Sequence, residues 1–323
     1  MSVIFINRIP PPKEQPWGGG SKLLTALITA LRAKGHDVVH ELWPGLDALV
    51  CFDPRQGSDL NLVGFEKMHA YAKNASARPL LIQRVGDIGS HGKPELFDMV
   101  LNSVLRSDAV VFPSRWAFDA VKLALESMDG AVKKPWYVIP NAPAAAFYNH
   151  RVIRDELPEK LSFVTHHWSN NKCKGFEFYE RLQSWAIENG HTFTFIGRAP
   201  EGSKIRVVAP MTEEQLAVEL PKHHVYVTAS LLEAGANHVI EGVAAGLPVI
   251  FHSDGGSIPE YCASFGHQFS GTIDSFEHAL ENVRVNIRLH GSYMRYAQPT
   301  IDDAARDYVN LIERMLSRRS EDQ

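Results

Sequence analysis

The chain has 323 residues and 45% hydrophobic content, enough for two average domains that each bury a core. Its formal net charge of -4 excludes the broad basic field that non-specific nucleic-acid binding requires, so no nucleic acid is expected as a partner. Three cysteines, Cys51, Cys173 and Cys262, lie far apart with no CxxC spacing; they read as reduced thiols in the cytoplasm, and no 18-residue apolar stretch or cleavable basic leader argues otherwise.

In chain order, short apolar runs alternate with helical patterns. Strands are predicted at Val3 to Ile9, Val38 to Leu42, Ala48 to Phe52, Pro79 to Val85, Ala109 to Pro113 and Trp136 to Pro140, with helices at Leu23 to Leu31, Leu62 to Ala72, Glu95 to Leu105 and Ala117 to Ser127. Such alternation predicts βαβ units on a parallel sheet. The stretch from 143 to 159 has mixed polarity, Pro143 and Pro158, and no sustained period, which suits a connection between domains. The second half repeats the pattern with strands at Leu161 to His166, Thr192 to Ile196, Ile205 to Val208, Val225 to Thr228 and Pro248 to Phe251. Thr212 with Gln215 spells a capping box, and Gly190 and Gly246 stand where left-handed caps end helices. An amphipathic helix, Thr300 to Leu316, closes the chain. The expected division is 1–150, 151–297 and a final helical segment 298–323. Arg314, Arg318 and Arg319 on that helix are offset by Glu313, Glu321 and Asp322, so at most a peripheral membrane contact is expected.

The most informative passage runs from Val225 to Glu260: strand, loop, short helix, strand and glycine turn without slack. With Asn237 as N-cap, Glu233 falls in the loop and Glu241 one turn inside the helix, so both can face one pocket at the helix start. Free backbone N–H groups at Gly235, Ala236, Asn237 and His238 can receive a diphosphate, and Gly235 lets the backbone come close. A carboxylate only accepts hydrogen bonds and can take two hydroxyl donors, which suits the vicinal diols of a ribose or hexose. A helix whose acidic residues merely favour its dipole would look the same in isolation.

Set in this order, the passage resembles the E-x7-E signature of glycosyltransferase family 4, here Glu233 through Glu241. The likeness continues in GVAAGLPVI, in the Asp254-Gly255-Gly256 turn before Pro259-Glu260, which resembles the family's GG-x-x-E ending, and upstream in Lys174-Gly175. Fainter echoes lie in the glycine loop Gly18 to Gly20, in SDAVVFPS at Ser107 to Ser114, and in VIPNA at Val138 to Ala142. The resemblance implies an α/β chain of the GT-B fold, two Rossmann-like domains facing a central cleft: an N-terminal acceptor-side domain and a C-terminal nucleotide-sugar domain, with the last helix crossing back to the first. It further implies that Glu233 contacts donor-sugar hydroxyls, Glu241 holds the ribose diol and Lys174 neutralises the diphosphate. Where the family carries an arginine, five residues before that lysine, this chain has Ser169; Lys172 is the candidate substitute.

Other candidates follow. Gly19 and Gly20 sit before a helix, too far behind the first strand for a dinucleotide fingerprint, and the resemblance places them near donor phosphate or acceptor. Arg84 and Asp87 end a strand at a carboxyl edge, where open α/β sheets bind ligands, and are expected to contact acceptor or donor in the cleft; a surface ion pair is the alternative reading. The doublets His166-His167 and His223-His224 are not expected to ligate one metal, because strand neighbours point to opposite faces, although His166, His167 or Trp168 could line the donor site. No metal and no cofactor is expected; the nucleotide sugar is substrate, UDP- rather than GDP-linked. The reaction implied is transfer with retention to a hydroxyl of a glycan or lipid-linked acceptor, in polysaccharide or glycoconjugate synthesis. A silent nucleotide-sugar-binding protein and a GT-B epimerase are the alternatives.

Overall fold

The computed structural model describes residues 1–10, 12, 18–57, 63–127, 135–262, 266–290 and 299–321. It contains two compact units. One comprises Met1–Pro12, Gly19–Asn141 and Ile301–Gln323; the other is built on Ala142–Thr300.

The first unit carries strands β1 (Val3–Ile6), β2 (Asp37–Val39), β3 (Ala48–Cys51), β4 (Leu80–Arg84), β5 (Ala109–Phe112) and β6 (Trp136–Val138), in spatial order β2-β1-β3-β4-β5-β6 and all parallel. Its helices are α1 (Gly19–Ala33), α2 (Phe65–Asn74), α3 (Pro94–Arg106) and α4 (Arg115–Glu126). Strands with helices on both faces are buried on both faces, which is why β3 and β5 read as unbroken apolar runs rather than alternations. Helix α4 starts where Ser114 accepts a hydrogen bond from the Ala117 amide, 3.0 Å.

The second unit opens with α5 (Ala145–Asn149) and continues through β7 (Ser162–His167), α6 (Phe176–Glu188), β8 (Thr192–Gly197), β9 (Val207–Val208), α7 (Glu213–Glu219), β10 (Val225–Thr228), α8 (Asn237–Ala244), β11 (Val249–His252), α9 (Ile258–Cys262), β12 (Gly266–Phe269) and α10 (Ile273–His290). Its sheet is parallel in the order β12-β11-β10-β7-β8-β9. Read from the other edge, this is the doubly wound order 3-2-1-4-5-6, which reverses direction between its first and fourth strands, β7 and β10. The capping box of α7 is formed, and Gly190 and Gly246 take left-handed φ angles of 71° and 91°.

Helix α11 (Ile301–Glu321) packs on α1 within the first unit. The first unit's central block ends at Asn141, earlier than the sequence reading's 150. The difference has a packing cause: Phe147 of α5 is fully buried in the second unit's core with Leu216, Val239 and Val243. The expected boundary at 297/298, like the predicted helix start at Leu62, lies outside the described residues. Three further differences are local. The strand expected at Ile205 shrinks to Val207–Val208, and β1 stops at Ile6. Strand β12 went unread because only Phe269 of its four residues is buried, so it carries no apolar pattern. Among the described residues no helix is long and apolar enough to cross a membrane.

Candidate functional site

The candidate site forms at the carboxyl ends of β7 and β10, the reversal point of the second sheet. In open α/β sheets the connections from two such strands depart to opposite sides, and ligands bind outside their carboxyl ends. Everything placed there follows from the register: β10 pairs with β7 through Tyr226↔Val164, and β7 with β8 through His166↔Ile196 and His167↔Gly197.

Glu233 lies in the loop after β10. Its amide donates to Gly255 O (3.2 Å), its carbonyl accepts from Ser257 N (2.8 Å), and it forms a parallel bridge with Gly256. Gly256 has φ +70°, and a Cβ there would stand 2.5 Å from the Glu233 amide nitrogen, so a side chain at 256 would push Glu233 out of place. The residue before it, Leu232, holds φ 52°, the only non-glycine among the described residues with positive φ. A leucine in that region costs about 1–2 kcal/mol, a strain that the surrounding hydrogen bonds must outweigh. Lys174 approaches from the turn after β7. Asn171 caps that turn by accepting from Cys173 N (2.9 Å), and Leu231 N donates to Cys173 O (2.8 Å), which ties the two loops together. The Lys174 ammonium then meets Glu233 Oε1 at 2.5 Å, with side chains only 12% and 10% exposed. The two residues to which the resemblance gives separate duties are thus partners in one ion pair.

Glu241 lies in α8 and is buried. Its Oε2 is 2.8 Å from His166 Nε2. A carboxylate accepts only, so Nε2 carries the hydrogen, and in the neutral ring Nδ1 receives the Tyr226 hydroxyl proton across 3.1 Å. Tyr226 also accepts from the His166 amide at 3.2 Å, and burial raises its phenol well above the ordinary range, so it stays protonated. His167 is held differently: its Nε2 is 2.8 Å from the Tyr179 hydroxyl, which accepts from Ala229 N at 2.9 Å and fixes the start of the Glu233 loop. Burial pushes Tyr179 up to about 12.

His238 sits at the centre of this network. Its Nε2 is 3.0 Å from Thr228 Oγ1, and its ring edges onto His167 at a centroid distance of 4.6 Å. Burial drives it down to about 3, with the charges of Glu233, Lys174, His166 and Glu241 all acting on it. The ring is therefore neutral, and it packs against His166, the partner of Glu241, at a centroid distance of 6.3 Å. Buried polar groups in such a network are mutually oriented, which removes conformational freedom from the carboxylates before any ligand arrives.

Helix α8 begins at Asn237, one residue earlier than expected: the cap is Ala236, which supplies no side-chain hydrogen bond, and the Asn237 amide side chain turns back to Gly235 O at 3.3 Å. The expected asparagine cap is corrected on that ground, while Gly235, Ala236, Asn237 and His238 do form the helix mouth. Lys172 is exposed and lines a surface pocket with Phe176, Ala229, Leu231 and His252, whereas the cation in the ion pair with Glu233 is Lys174. A cation that sequence reading missed is Arg198, which directly follows β8. Its amide donates to His167 O (3.1 Å) and its guanidinium stacks 4.0 Å over Trp168. Only its position after a strand-terminal glycine could have singled it out.

The first-unit candidates separate. Gly19 and Gly20 are the first two residues of α1 rather than a free loop. Arg84 and Asp87 do not pair: Arg84 is 4% exposed and bonds Asn141 Oδ1 at 3.3 Å, whereas Asp87 pairs with Lys93 at 2.9 Å on the surface.

No family model and no curated protein matches the sequence. Solved structures do. Sucrose-phosphate synthase from Thermosynechococcus elongatus aligns at TM-score 0.62 and 14% identity over 99% of this chain and 98% of that one. A trehalose-6-phosphate synthase from E. coli bound with UDP-2-fluoro glucose aligns at 0.60 and 11% over 96% and 98%. WaaG, a glycosyltransferase involved in lipopolysaccharide biosynthesis, aligns at 0.57 and 10% over 97% and 98%. With two parallel six-stranded sheets flanked by helices and full-length alignment to these structures, the chain has the GT-B fold of glycosyltransferases.

Proposed function

We propose that the protein is a glycosyltransferase that takes a sugar from a nucleotide-sugar donor held by its second unit. The observation that carries this reading is the placing of two buried pairs, Lys174–Glu233 and His166–Glu241, on the loops and helix that follow β7 and β10 at the reversal point of the sheet. On this reading the first-turn amides of α8 receive the diphosphate, Glu241 accepts from the ribose hydroxyls, and Glu233 accepts from hydroxyls of the transferred sugar. Lys174, bridged to Glu233, moves onto the departing diphosphate as negative charge grows there. Arg198, propped on Trp168, adds the cation that Ser169 does not supply. Two cations and a helix terminus compensate the leaving group without a divalent ion, so turnover is expected to survive EDTA. The work is positioning and electrostatics, and transfer proceeds with retention, the leaving phosphate taking the acceptor proton on the same face. UDP-sugars are the expected donors and a glycan or lipid-linked hydroxyl the acceptor, in glycoconjugate or polysaccharide synthesis.

The test is a thermal-shift screen of UDP- and GDP-sugars followed by assay of nucleotide release. A donor at 100 times its dissociation constant stabilises the fold by about 2.7 kcal/mol. That shift should be lost in Lys174→Ala and Glu241→Gln and reduced in Arg198→Ala. Unaltered donor affinity in all three variants sinks the reading.

A further inference from the structure

The first sheet has its own reversal point, between β1 and β3, since its order β2-β1-β3 turns there. Asn7, fully buried, holds it together: its side chain accepts from Phe52 N (2.8 Å) and donates to Asp53 O (2.7 Å) and Val63 O (2.9 Å). Two guanidinium groups converge on this point. Arg8 follows β1 and reaches Ser21 Oγ of α1 at 3.5 Å. Arg84 ends β4, bonds Asn141, stacks on Phe52 at 5.5 Å, and brings Nη1 to 3.7 Å from where a Cβ would stand on Gly20. Gly86 makes room for it, because a Cβ there would lie 2.1 Å from Nη1.

The charges do not balance. Arg84 is 4% exposed, and neither guanidinium is paired with a carboxylate among the described residues. Arg8 Nε and Arg84 Nε are both buried without a hydrogen-bond partner among those residues. Nearby Asp53 is engaged by Arg55 at 2.6 Å, and Asp87 by Lys93. Burial lowers the Arg8 pKa, Asp53 opposes the shift, and Arg84 and Arg55 lower it further. Helix α1, fifteen residues long, opens at the same place with Gly19-Gly20-Ser21 and no acidic residue in its first turn. Two like charges and the positive end of a helix dipole, brought together where Arg84 is buried and Arg8 half-buried, repel one another unless an anion joins them.

We propose that this reversal point is an anion site in which Arg8, Arg84 and the first turn of α1 hold a phosphomonoester, as on a phosphorylated sugar acceptor. Its assignment to an acceptor rests on the transferase reading; the anion site does not. The guanidinium forks match the planar array of phosphate oxygens, and the α1 amides supply further donors.

The experiment measures inorganic phosphate, glucose 6-phosphate, glucose and UDP by calorimetry and thermal shift on the full chain. Variants are Arg8→Gln, Gly20→Asp and Lys174→Ala. Gly20→Asp meets only an ordinary contact with Arg84, has no positive φ to strain, and places a carboxylate in the site; unliganded melting curves confirm that each variant is folded. Phosphate and glucose 6-phosphate should bind the parent and Lys174→Ala alike, glucose should not, Arg8→Gln should lose affinity about tenfold, and Gly20→Asp should lose it altogether. UDP affinity should survive Arg8→Gln. The proposal is overturned if phosphate affinity is unchanged in both first-unit variants. It is equally overturned if phosphate binding disappears in Lys174→Ala, or if UDP affinity falls with phosphate affinity in Arg8→Gln, since the anion would then be the donor's. Phosphate binding that depends on Arg8 in a protein that turns over no nucleotide sugar sinks the transferase reading and leaves the anion site standing.

Discussion

Glu241 and His166 form a unit whose parts are legible in the sequence only one at a time. The E-x7-E spacing picked out Glu241; nothing local linked it to a histidine 75 residues away, 2.8 Å distant in the fold. Glu241→Gln keeps a carbonyl to accept from His166 but loses the charge that, on the proposed reading, grips two donor hydroxyls. Donor affinity should fall by about 1.5–3 kcal/mol, read as a rise in KM or in the calorimetric Kd. His166→Phe should raise KM too, because it leaves Glu241 without the donor that orients it. His238 makes a prediction about pH. Buried neutral, it refuses a proton until about pH 3, while in the unfolded chain it takes one up near 6.5. The unfolded state therefore binds more protons across that window, and stability, complete above pH 6.5, falls as pH drops toward 3. His223, lowered to about 4 by burial, acts in the same direction. Urea midpoints from pH 7 to 4 should fall less steeply in His238→Gln than in the parent; identical slopes would show that this ring is not responsible.

At the scale of elements, the Glu233 loop is positioned by the glycine turn after β11 rather than by its own residues. Leu232 and Glu233 donate to Asp254 O and Gly255 O, and the close approach depends on Gly256 lacking a side chain. Gly256→Ala should therefore lower the melting temperature and weaken donor affinity by more than tenfold. Gly202→Ala, at a positive φ of 79° but in open space, should cost stability alone. Equal donor binding in the two variants would detach Glu233 from the site. The sequence located α8 and its mouth correctly because an apolar octet between a strand and Gly246 has few alternatives. It misassigned the cap because Asn is a good cap by propensity, whereas backbone bonds from the Asp254–Ser257 turn set how the chain enters the helix. Strand β12 was missed for a related reason: an edge strand draws its stability from pairing with β11, not from a buried face of its own.

For the whole molecule, the last helix matters more than its position at the chain end suggests. Ala304, Ala305, Tyr308, Val309, Leu311 and Ile312 of α11 are buried, and α11 covers α1. Deleting 301–323 should accelerate amide hydrogen exchange in α1 and leave protection of β7 and β8 in the other unit unchanged; protection kept in α1 would show that the contact contributes little. The sequence by itself determined the layer architecture. Unbroken apolar strands alternating with amphipathic helices have one economical packing, the doubly wound sheet, and the pattern occurs twice. Resemblance to a known signature singled out Glu233 and Glu241 along one passage and, upstream of it, Lys174. Tertiary structure alone decided which strands became neighbours, and thus that β7 meets β10 and β1 meets β3. Those pairings bring together side chains remote in sequence: His166 with Glu241, Lys174 with Glu233, and Arg8 with Arg84. Local periodicity reports which face of an element is buried; it carries no information about what is buried beside it.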